Sequence, residues 1–81
     1  MKAIVNIYLK EGVLDPQGKA VHHALHSLGF KEVDDVRVGK QIVLRLKEDL
    51  SDDEARREVE EMCEKLLANT VIEDYEIELV R

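Results

Sequence analysis

The stretch GVLDPQGKAV, residues 12–21, marks the point at which the first strand pattern of the chain gives way to the first helix pattern. Asp15 is a favoured N-cap residue, and Pro16 suits the first helical position, where its missing N–H would have no partner in any case. Before this stretch, residues 3–9 alternate with the period of a strand. After it, Gly29 stands where the helix is expected to end. The stretch therefore predicts a strand, a turn and a helix, in that order.

Three further strands are predicted in the rest of the chain. Residues 33–38 and 41–47 are typical of two strands joined by a tight turn at Gly39-Lys40, although this pair is not among the strongest hairpin signals. A last strand over about residues 75–80 is indicated by the alternation of Tyr75, Ile77 and Leu79.

The second helix is predicted from a capping box, with Ser51 at the N-cap and Glu54 three positions later. Its buried stripe has helical spacing and consists of Ala55, Val59, Met62 and Leu66. The order of elements is therefore β-α-β-β-α-β. We expect a single α+β domain over residues 1–81, with an antiparallel sheet and two helices on one face, which is the ferredoxin-like arrangement.

Composition excludes several classes of protein. The chain has 81 residues, of which 44% are hydrophobic and 4% aromatic, and no apolar run exceeds three residues, so we expect no membrane span. Residues 1–47 carry a net charge of +3 and residues 48–81 one of −9; an acidic chain with few aromatic side chains is a poor partner for nucleic acid. The single cysteine, Cys63, favours a reducing, cytoplasmic location.

The predicted topology brings three loops to one end of the domain: residues 10–15, 38–41 and 68–74. We expect a partner-docking surface at this end, because its residues are more varied than turns alone require. The candidates are Asp15, Arg37, Lys40 and Asn69. Arg37 and Lys40 would offer fixed positive charge to a carboxylate on a partner.

The second face of the sheet carries apolar side chains that helices on the other face cannot cover. Ile4, Tyr8 and Val43 lie on this face in the predicted alternation. Exposed apolar surface of this kind commonly marks an interface, and we therefore expect a homo-oligomer, a dimer or a tetramer, formed partly through these residues.

No catalytic or metal-binding pattern is apparent. His22 and His26 have the i, i+4 spacing of a two-histidine metal grip, but no acidic or cysteine ligand adjoins them, and zinc sites need three or four ligands. Cys63 has no base to activate it as a nucleophile and is expected to be a small, half-buried helix residue. No glycine-rich phosphate loop is present. We expect no metal, no cofactor and no catalysis from the isolated chain.

Three segments together resemble one protein family. They are GVLDPQGKAV (residues 12–21), VRVGKQI (residues 36–42) and CEKLLANTVIE (residues 63–73). The resemblance is to PurS, the small subunit of bacterial and archaeal phosphoribosylformylglycinamidine (FGAM) synthase, and it extends over nearly the whole chain. Thr70 is a departure, since it stands where the family usually has proline, which would fix φ of that loop residue near −65°.

The resemblance implies a non-catalytic role in the fourth step of purine biosynthesis. In that step a large synthetase subunit uses ATP, formylglycinamide ribonucleotide and ammonia, and a glutaminase subunit supplies the ammonia. The small subunit is expected to bring these two partners together and to help ammonia pass between them. The alternative is a small-molecule-binding regulatory module, which rests on analogy with other ferredoxin-like domains.

Overall fold

The computed structural model describes residues 1–81 and contains three strands and two helices. The elements are β1 (Lys2–Leu9), α1 (Pro16–Ser27), β2 (Lys40–Arg45), α2 (Asp52–Met62), a π-helical turn (Cys63–Leu67) and β3 (Glu73–Val80). The predicted α+β class, with an antiparallel sheet and two helices, is confirmed. No helix is both long enough and apolar enough to cross a membrane.

The sheet is antiparallel, with β1 between β2 and β3. Ala3, Val5 and Ile7 of β1 face α2 and are almost fully buried, because strand side chains alternate between the two faces. The core consists of Ala3, Val5, Ile7, Val59, Cys63 and Ala68. One face of the sheet therefore packs on α2, and the other face carries no helix.

The helix signals in the sequence are confirmed. The Asp15 carboxylate caps α1 by accepting the Gly18 N–H at 2.9 Å, with Pro16 next to it. Ser51 and Glu54 form the reciprocal capping box of α2. Gly29 has φ +100°, the left-handed conformation that glycine adopts readily after a helix.

Residues 33–38 occupy the place of the predicted second strand but do not join the sheet, and residues 33–39 have no regular secondary structure. They run back along α1 instead: a ring nitrogen of His22 lies 2.7 Å from the Val33 carbonyl oxygen. At the other end, Val38 donates its N–H to the Asp15 carboxylate at 2.9 Å. The other elements keep their predicted order, but this segment finds its hydrogen-bond partners in side chains of the α1 region rather than in β2.

The prediction that both helices pack on the sheet is wrong for α1. Residues 10–39, which we call the arm, project from the sheet, and Gly18 is the only buried residue of α1. The chain measures 50 × 26 × 14 Å and has a radius of gyration of 16.1 Å, whereas a compact domain of this length would have about 12 Å. The arm packs mainly on itself, and α2 is the only helix that covers the buried face of the sheet.

The prediction that Leu66 is buried is also wrong, since this side chain is 82% exposed. The π-helical turn is closed by the Ala68 N–H donating to the Cys63 carbonyl at 3.0 Å, five residues back. A π turn contains one residue more than an α turn, and so Leu67 moves toward the core while Leu66 turns outward. Cys63, expected to be half-buried, is fully buried.

Candidate functional site at the base of the arm

A cleft lies where the arm joins the sheet, and it has a volume of about 290 Å³. Its walls come from the end of β1, the start of α1 and the start of β2. Its lining includes Lys40, Glu73 and Asp15. Of the four predicted docking residues, Asp15 and Lys40 therefore line the cleft, whereas Arg37 and Asn69 lie outside its lining.

Asp15 closes the base of the arm. The residue is 7% exposed, and its two carboxylate oxygens accept different backbone N–H groups, Oδ1 from Gly18 and Oδ2 from Val38, both at 2.9 Å. The Val38 and Gly18 hydrogen bonds, together with the Arg37 charge, lower the pKa of Asp15 below its ordinary value of 3.8. This carboxylate is therefore ionised at neutral pH and ties the two ends of the arm together.

Arg37 joins the arm to the end of β1. Its guanidinium donates to the carbonyl oxygens of Leu9 and Lys10, both at 3.1 Å, and its Nε lies 3.9 Å from the Asp15 carboxylate. These contacts fix Arg37, which in turn positions the arm relative to the sheet. Only part of the charge of Arg37 is therefore directed to solvent.

Lys40 and Asn69 meet through Glu73. The Lys40 ammonium lies 4.0 Å from one carboxylate oxygen of Glu73, and the Asn69 backbone N–H donates to the other at 2.7 Å. The Asn69 side-chain oxygen accepts the Val71 N–H at 3.2 Å, which fixes the turn before β3. The Lys40 side chain is 57% exposed. Of the four candidates, it contributes least to holding the backbone in place.

Glu73 was not among the predicted site residues, and the close approach of Gly39 to β1 was not predicted either. A Cβ atom at Gly39 would lie 2.7 Å from the Ile7 carbonyl oxygen, so only glycine fits there without a shift. The signal for Glu73 was its place in the predicted loop of residues 68–74, close to Asn69. The contacts of both residues join segments that are far apart in the chain, and for this reason spacing alone did not reveal them.

The loop before β3 accommodates the unusual Thr70. The Asn69 carbonyl accepts the N–H groups of Ile72 and Glu73, at 3.0 and 2.7 Å, and so closes the turn around Thr70. The Thr70 N–H itself donates to no protein group. A proline at this position would therefore break no hydrogen bond within the chain.

The groups that could carry catalysis are engaged elsewhere. Burial raises the pKa of the Cys63 thiol, with Glu64 and Glu60 adding to the shift. A hydrogen bond from the Tyr75 hydroxyl to Glu64, 2.8 Å long, raises the pKa of Tyr75 to about 12. His22 is paired with Val33 on the arm, and no cluster of three or more metal-ligating side chains forms. Cys63, Tyr75 and His22 all lie outside the lining of the cleft.

The open face of the sheet carries the second set of predicted interface residues. Ile4 and Val43 are directly opposite each other on β1 and β2, and Val43 is 51% exposed. Tyr8 is 38% exposed and donates its hydroxyl to Glu76 at 3.2 Å. The apolar patch is small, and the outward side of β3 next to it is acidic.

Comparison with known proteins gives a consistent result. Residues 2–81 match the family model described as PurS, phosphoribosylformylglycinamidine (FGAM) synthase. The chain is 58% identical over 78 residues to the phosphoribosylformylglycinamidine synthase subunit PurS of Bacillus subtilis, covering 96% of this chain and 90% of that protein. It is 49% identical to the corresponding subunit of Methanocaldococcus jannaschii, with coverage of 96% and 93%.

Solved structures show the same likeness. A crystal structure of PurS from B. subtilis superposes with a TM-score of 0.87 at 56% identity, covering 99% of this chain and 98% of the other. A chain in the structure of PurLQS from Thermotoga maritima superposes with a TM-score of 0.87 at 29% identity, with coverage of 98% and 95%.

Proposed function

Because this chain belongs to the PurS family of FGAM synthase, we propose that it works as the non-catalytic subunit that assembles the synthetase and glutaminase subunits of that enzyme in purine biosynthesis. The observation that carries this proposal is the cleft at the base of the arm, which presents Lys40 and Glu73 on a rigid frame without a nucleophile or a metal cluster. Such a site binds and orients a partner rather than reacting with a substrate.

The identity of the partners is supported by a relative. The PurLQS structure from T. maritima contains a chain with the fold of this one. We extend that assembly to the present chain, with the large synthetase subunit and the glutaminase subunit as its partners. The alternative of a small-molecule regulatory module is not favoured, since the family match covers residues 2–81.

The docking surface we propose consists of Asp15, Arg37, Lys40 and Asn69. Asp15, Arg37 and Asn69 act by holding the backbone in place, as their hydrogen bonds indicate. Lys40 supplies the exposed charge and is the group best placed to contact a carboxylate on a partner. We also keep the prediction that copies of the chain associate through Ile4, Tyr8 and Val43, and that the protein is cytoplasmic.

The first prediction tests the docking role of Lys40. In a mixture of the chain with its two larger partners, Lys40→Ala should weaken assembly by up to about fivefold, because an exposed ion pair contributes up to about 1 kcal/mol. Glutamine-dependent synthesis of FGAM at limiting subunit concentration should fall in proportion, while synthesis from free ammonium falls less. Raising the salt concentration should reduce the difference between the variant and the unchanged chain.

Lys2→Ala is the matched control, because Lys2 is an exposed lysine near the opposite end of β1 and forms no ion pair. If Lys40→Ala and Lys2→Ala assemble equally well, Lys40 does not dock the partner. Full glutamine-dependent activity in the absence of this chain would contradict the assembly function as a whole.

A further inference from the structure

The turn before β3 presents an apolar side chain to solvent. This turn, residues 69–73, has Val71 at its centre, and Val71 is 82% exposed. Single exposed apolar residues are common on protein surfaces. Val71 differs from an ordinary exposed residue because five hydrogen bonds fix the backbone that carries it.

Asn69 organises the turn. Its side-chain oxygen accepts the Val71 N–H at 3.2 Å, and its carbonyl oxygen accepts the N–H groups of Ile72 and Glu73 at 3.0 and 2.7 Å. The Asn69 N–H in turn donates to the Glu73 carboxylate at 2.7 Å. The fifth hydrogen bond runs from the Lys10 N–H to the Ile72 carbonyl oxygen, at 2.9 Å, and ties the turn to the end of β1. A partner that binds Val71 therefore has little loop entropy to remove.

A recess of about 370 Å³ lies beside the turn and shares Glu73 with the cleft at the base of the arm. Its charged lining consists of Lys10, Glu64, Glu73 and Asp74. Lys10 lies 3.7 Å from Asp74, and Lys40 lies 4.0 Å from Glu73, but no ion pair of the chain includes Glu64. Glu64 therefore offers a negative charge without a cationic partner next to the turn.

We propose that Val71 is the apolar anchor by which this chain docks on one of the two larger subunits. It enters an apolar pocket of that subunit, and an arginine or lysine on the rim of the pocket pairs with Glu64. The inference rests on the proposed assembly function and names the chemistry of the contact. Binding energy at interfaces is concentrated in a few buried anchors that are surrounded by polar groups, and the turn with its recess has this arrangement.

The charge of the chain favours another protein over a second copy as the occupant. The whole chain has a net charge of −6, and residues 48–81, which include the turn and Glu64, have one of −9. A second copy that approached with the same region would bring like charges together, whereas a basic rim on another subunit is complementary. Because Glu73 lines both the recess and the cleft, one partner can cover Val71 and Lys40 together.

The second prediction concerns Val71 itself. Val71→Ala should weaken assembly about tenfold, because it removes about two methyl groups from the contact. Val71→Asp should weaken assembly by about thirtyfold or more, since a carboxylate would enter an apolar pocket. The measurement is the concentration of this chain that gives half-maximal glutamine-dependent synthesis of FGAM with the two larger subunits.

Leu14→Asp is the matched control, because Leu14 is 64% exposed and lies in another loop at the same end of the domain. It should change the half-maximal concentration by less than about threefold. Equal losses in Leu14→Asp and Val71→Asp would show a general effect of added negative charge and would overturn the anchor. Unchanged assembly of Val71→Asp would overturn it as well.

The isolated variants give a further check. Val71 is largely exposed in the single chain, so Val71→Asp should leave far-UV circular dichroism and the sedimentation coefficient of the isolated chain unchanged. A smaller sedimenting species would assign Val71 to a contact between copies of the chain and would overturn the proposal.

Asn69→Ala tests whether the turn acts by holding Val71. This variant removes the acceptor of the Val71 N–H and should weaken assembly by up to about fivefold. In the Val71→Ala background the same substitution should have little further effect, because a positioning residue acts through the residue that it positions. Equal effects of Asn69→Ala in both backgrounds would contradict this role.

Glu64→Gln tests the basic rim of the pocket. It should weaken assembly by up to about fivefold at low salt, and the difference should shrink as the salt concentration rises. The effect of Val71→Ala should persist at high salt, because burial of apolar surface is not screened. Unchanged or tighter assembly of Glu64→Gln would overturn the basic rim.

A cross-linking experiment identifies the partner. Val71→Cys is labelled with a benzophenone maleimide and irradiated in the assembled complex; Cys63 is fully buried and should not react. The product should join this chain to one of the larger subunits. A cross-link that forms only between copies of this chain would overturn the proposal.

The anchor and the assembly function can fail separately. Val71→Asp that assembles as well as the unchanged chain would contradict the anchor and leave the assembly function standing. Full glutamine-dependent synthesis in the absence of this chain would contradict the assembly function and, with it, the anchor.

Discussion

At the scale of single residues, Asp15 is the side chain on which most of the arm depends. It caps α1 through Gly18 and holds Val38, twenty-three residues later, with the second carboxylate oxygen. A capping aspartate in an ordinary turn would make only the first of these hydrogen bonds. The Val38 hydrogen bond is also the largest cause of the lowered pKa of Asp15, followed by that of Gly18.

The third prediction concerns the acid sensitivity of this contact. The pKa of Asp15 is lower in the folded state than in the unfolded state. The ionised carboxylate therefore stabilises the folded state at pH values above its unfolded-state pKa of about 3.9. This stabilisation is lost as the pH falls through the lower pKa of the folded state. Asp15→Asn removes this dependence, because an amide nitrogen cannot accept the Val38 N–H. The difference in free energy of unfolding between the two proteins, measured by urea titration, should be largest near pH 7 and shrink below pH 4.

Asp34→Asn serves as the control, because Asp34 is exposed and lies on the same returning segment. Its difference from the unchanged protein should be small across the whole range. A difference for Asp15→Asn that stays constant from pH 7 to pH 2 would show that the ionised carboxylate does not hold Val38.

At the scale of secondary-structure elements, α1 and the returning segment pack on each other rather than on the sheet. Gly18 is the point of closest approach: a Cβ atom there would lie 2.3 Å from the Val36 carbonyl oxygen. Because the pair makes few contacts with the core, it should open locally without unfolding of the sheet. Hydrogen exchange is therefore a better measure of its stability than global denaturation.

The fourth prediction is that Gly18→Ala destabilises the arm even though alanine is the better helix former. Relief of the clash with the Val36 backbone should cost about 1–3 kcal/mol, which exceeds the gain of up to about 1 kcal/mol in helix propensity. The α1 amides should exchange faster, by up to about thirtyfold, while amides of β1 are unaffected.

Lys19→Ala provides the comparison, since Lys19 is the next residue of the same helix and is exposed. That variant should change the exchange rates by less than about threefold, as expected for a surface substitution. Slower exchange of α1 in Gly18→Ala would mean that the returning segment is not held against this helix.

At the scale of the whole molecule, an extended shape is the distinctive property. The radius of gyration of 16.1 Å reflects an arm held off the sheet by hydrogen bonds at its base. A chain of 81 residues has a modest core in any case, and here the arm contributes almost nothing to it.

The fifth prediction uses this shape. At a concentration at which the chain is monomeric, its radius of gyration in X-ray scattering should be near 16 Å, because Asp15 and Arg37 hold the base of the arm. Arg37→Ala should broaden the distribution of distances, since the hydrogen bonds of Arg37 to the carbonyl oxygens of Leu9, at the end of β1, and of Lys10, next to it, are then lost. A value near 12 Å for the unchanged monomer would contradict the extended arm.

The sequence by itself determined the elements whose signals are local. The cap of α1 at Asp15 and Pro16, the capping box of Ser51 and Glu54 and the glycine after α1 are confirmed, because each depends on neighbours within a few residues. The alternation along β1 and β3 likewise predicted which side chains enter the core. The meeting of three loops at one end followed from the order of the elements.

Only the tertiary structure decided the pairing of residues 33–38, the position of α1 and the outward turn of Leu66. A short segment rich in valine is compatible with a strand, but whether it joins a sheet depends on which donors and acceptors lie nearby. Here the Asp15 carboxylate accepts the Val38 N–H. An apolar helix stripe predicts burial without identifying the surface that covers it. The π-helical turn changes the facing residue from Leu66 to Leu67, because packing of Cys63 and Ala68 in the core sets the register and no local motif in the sequence records it.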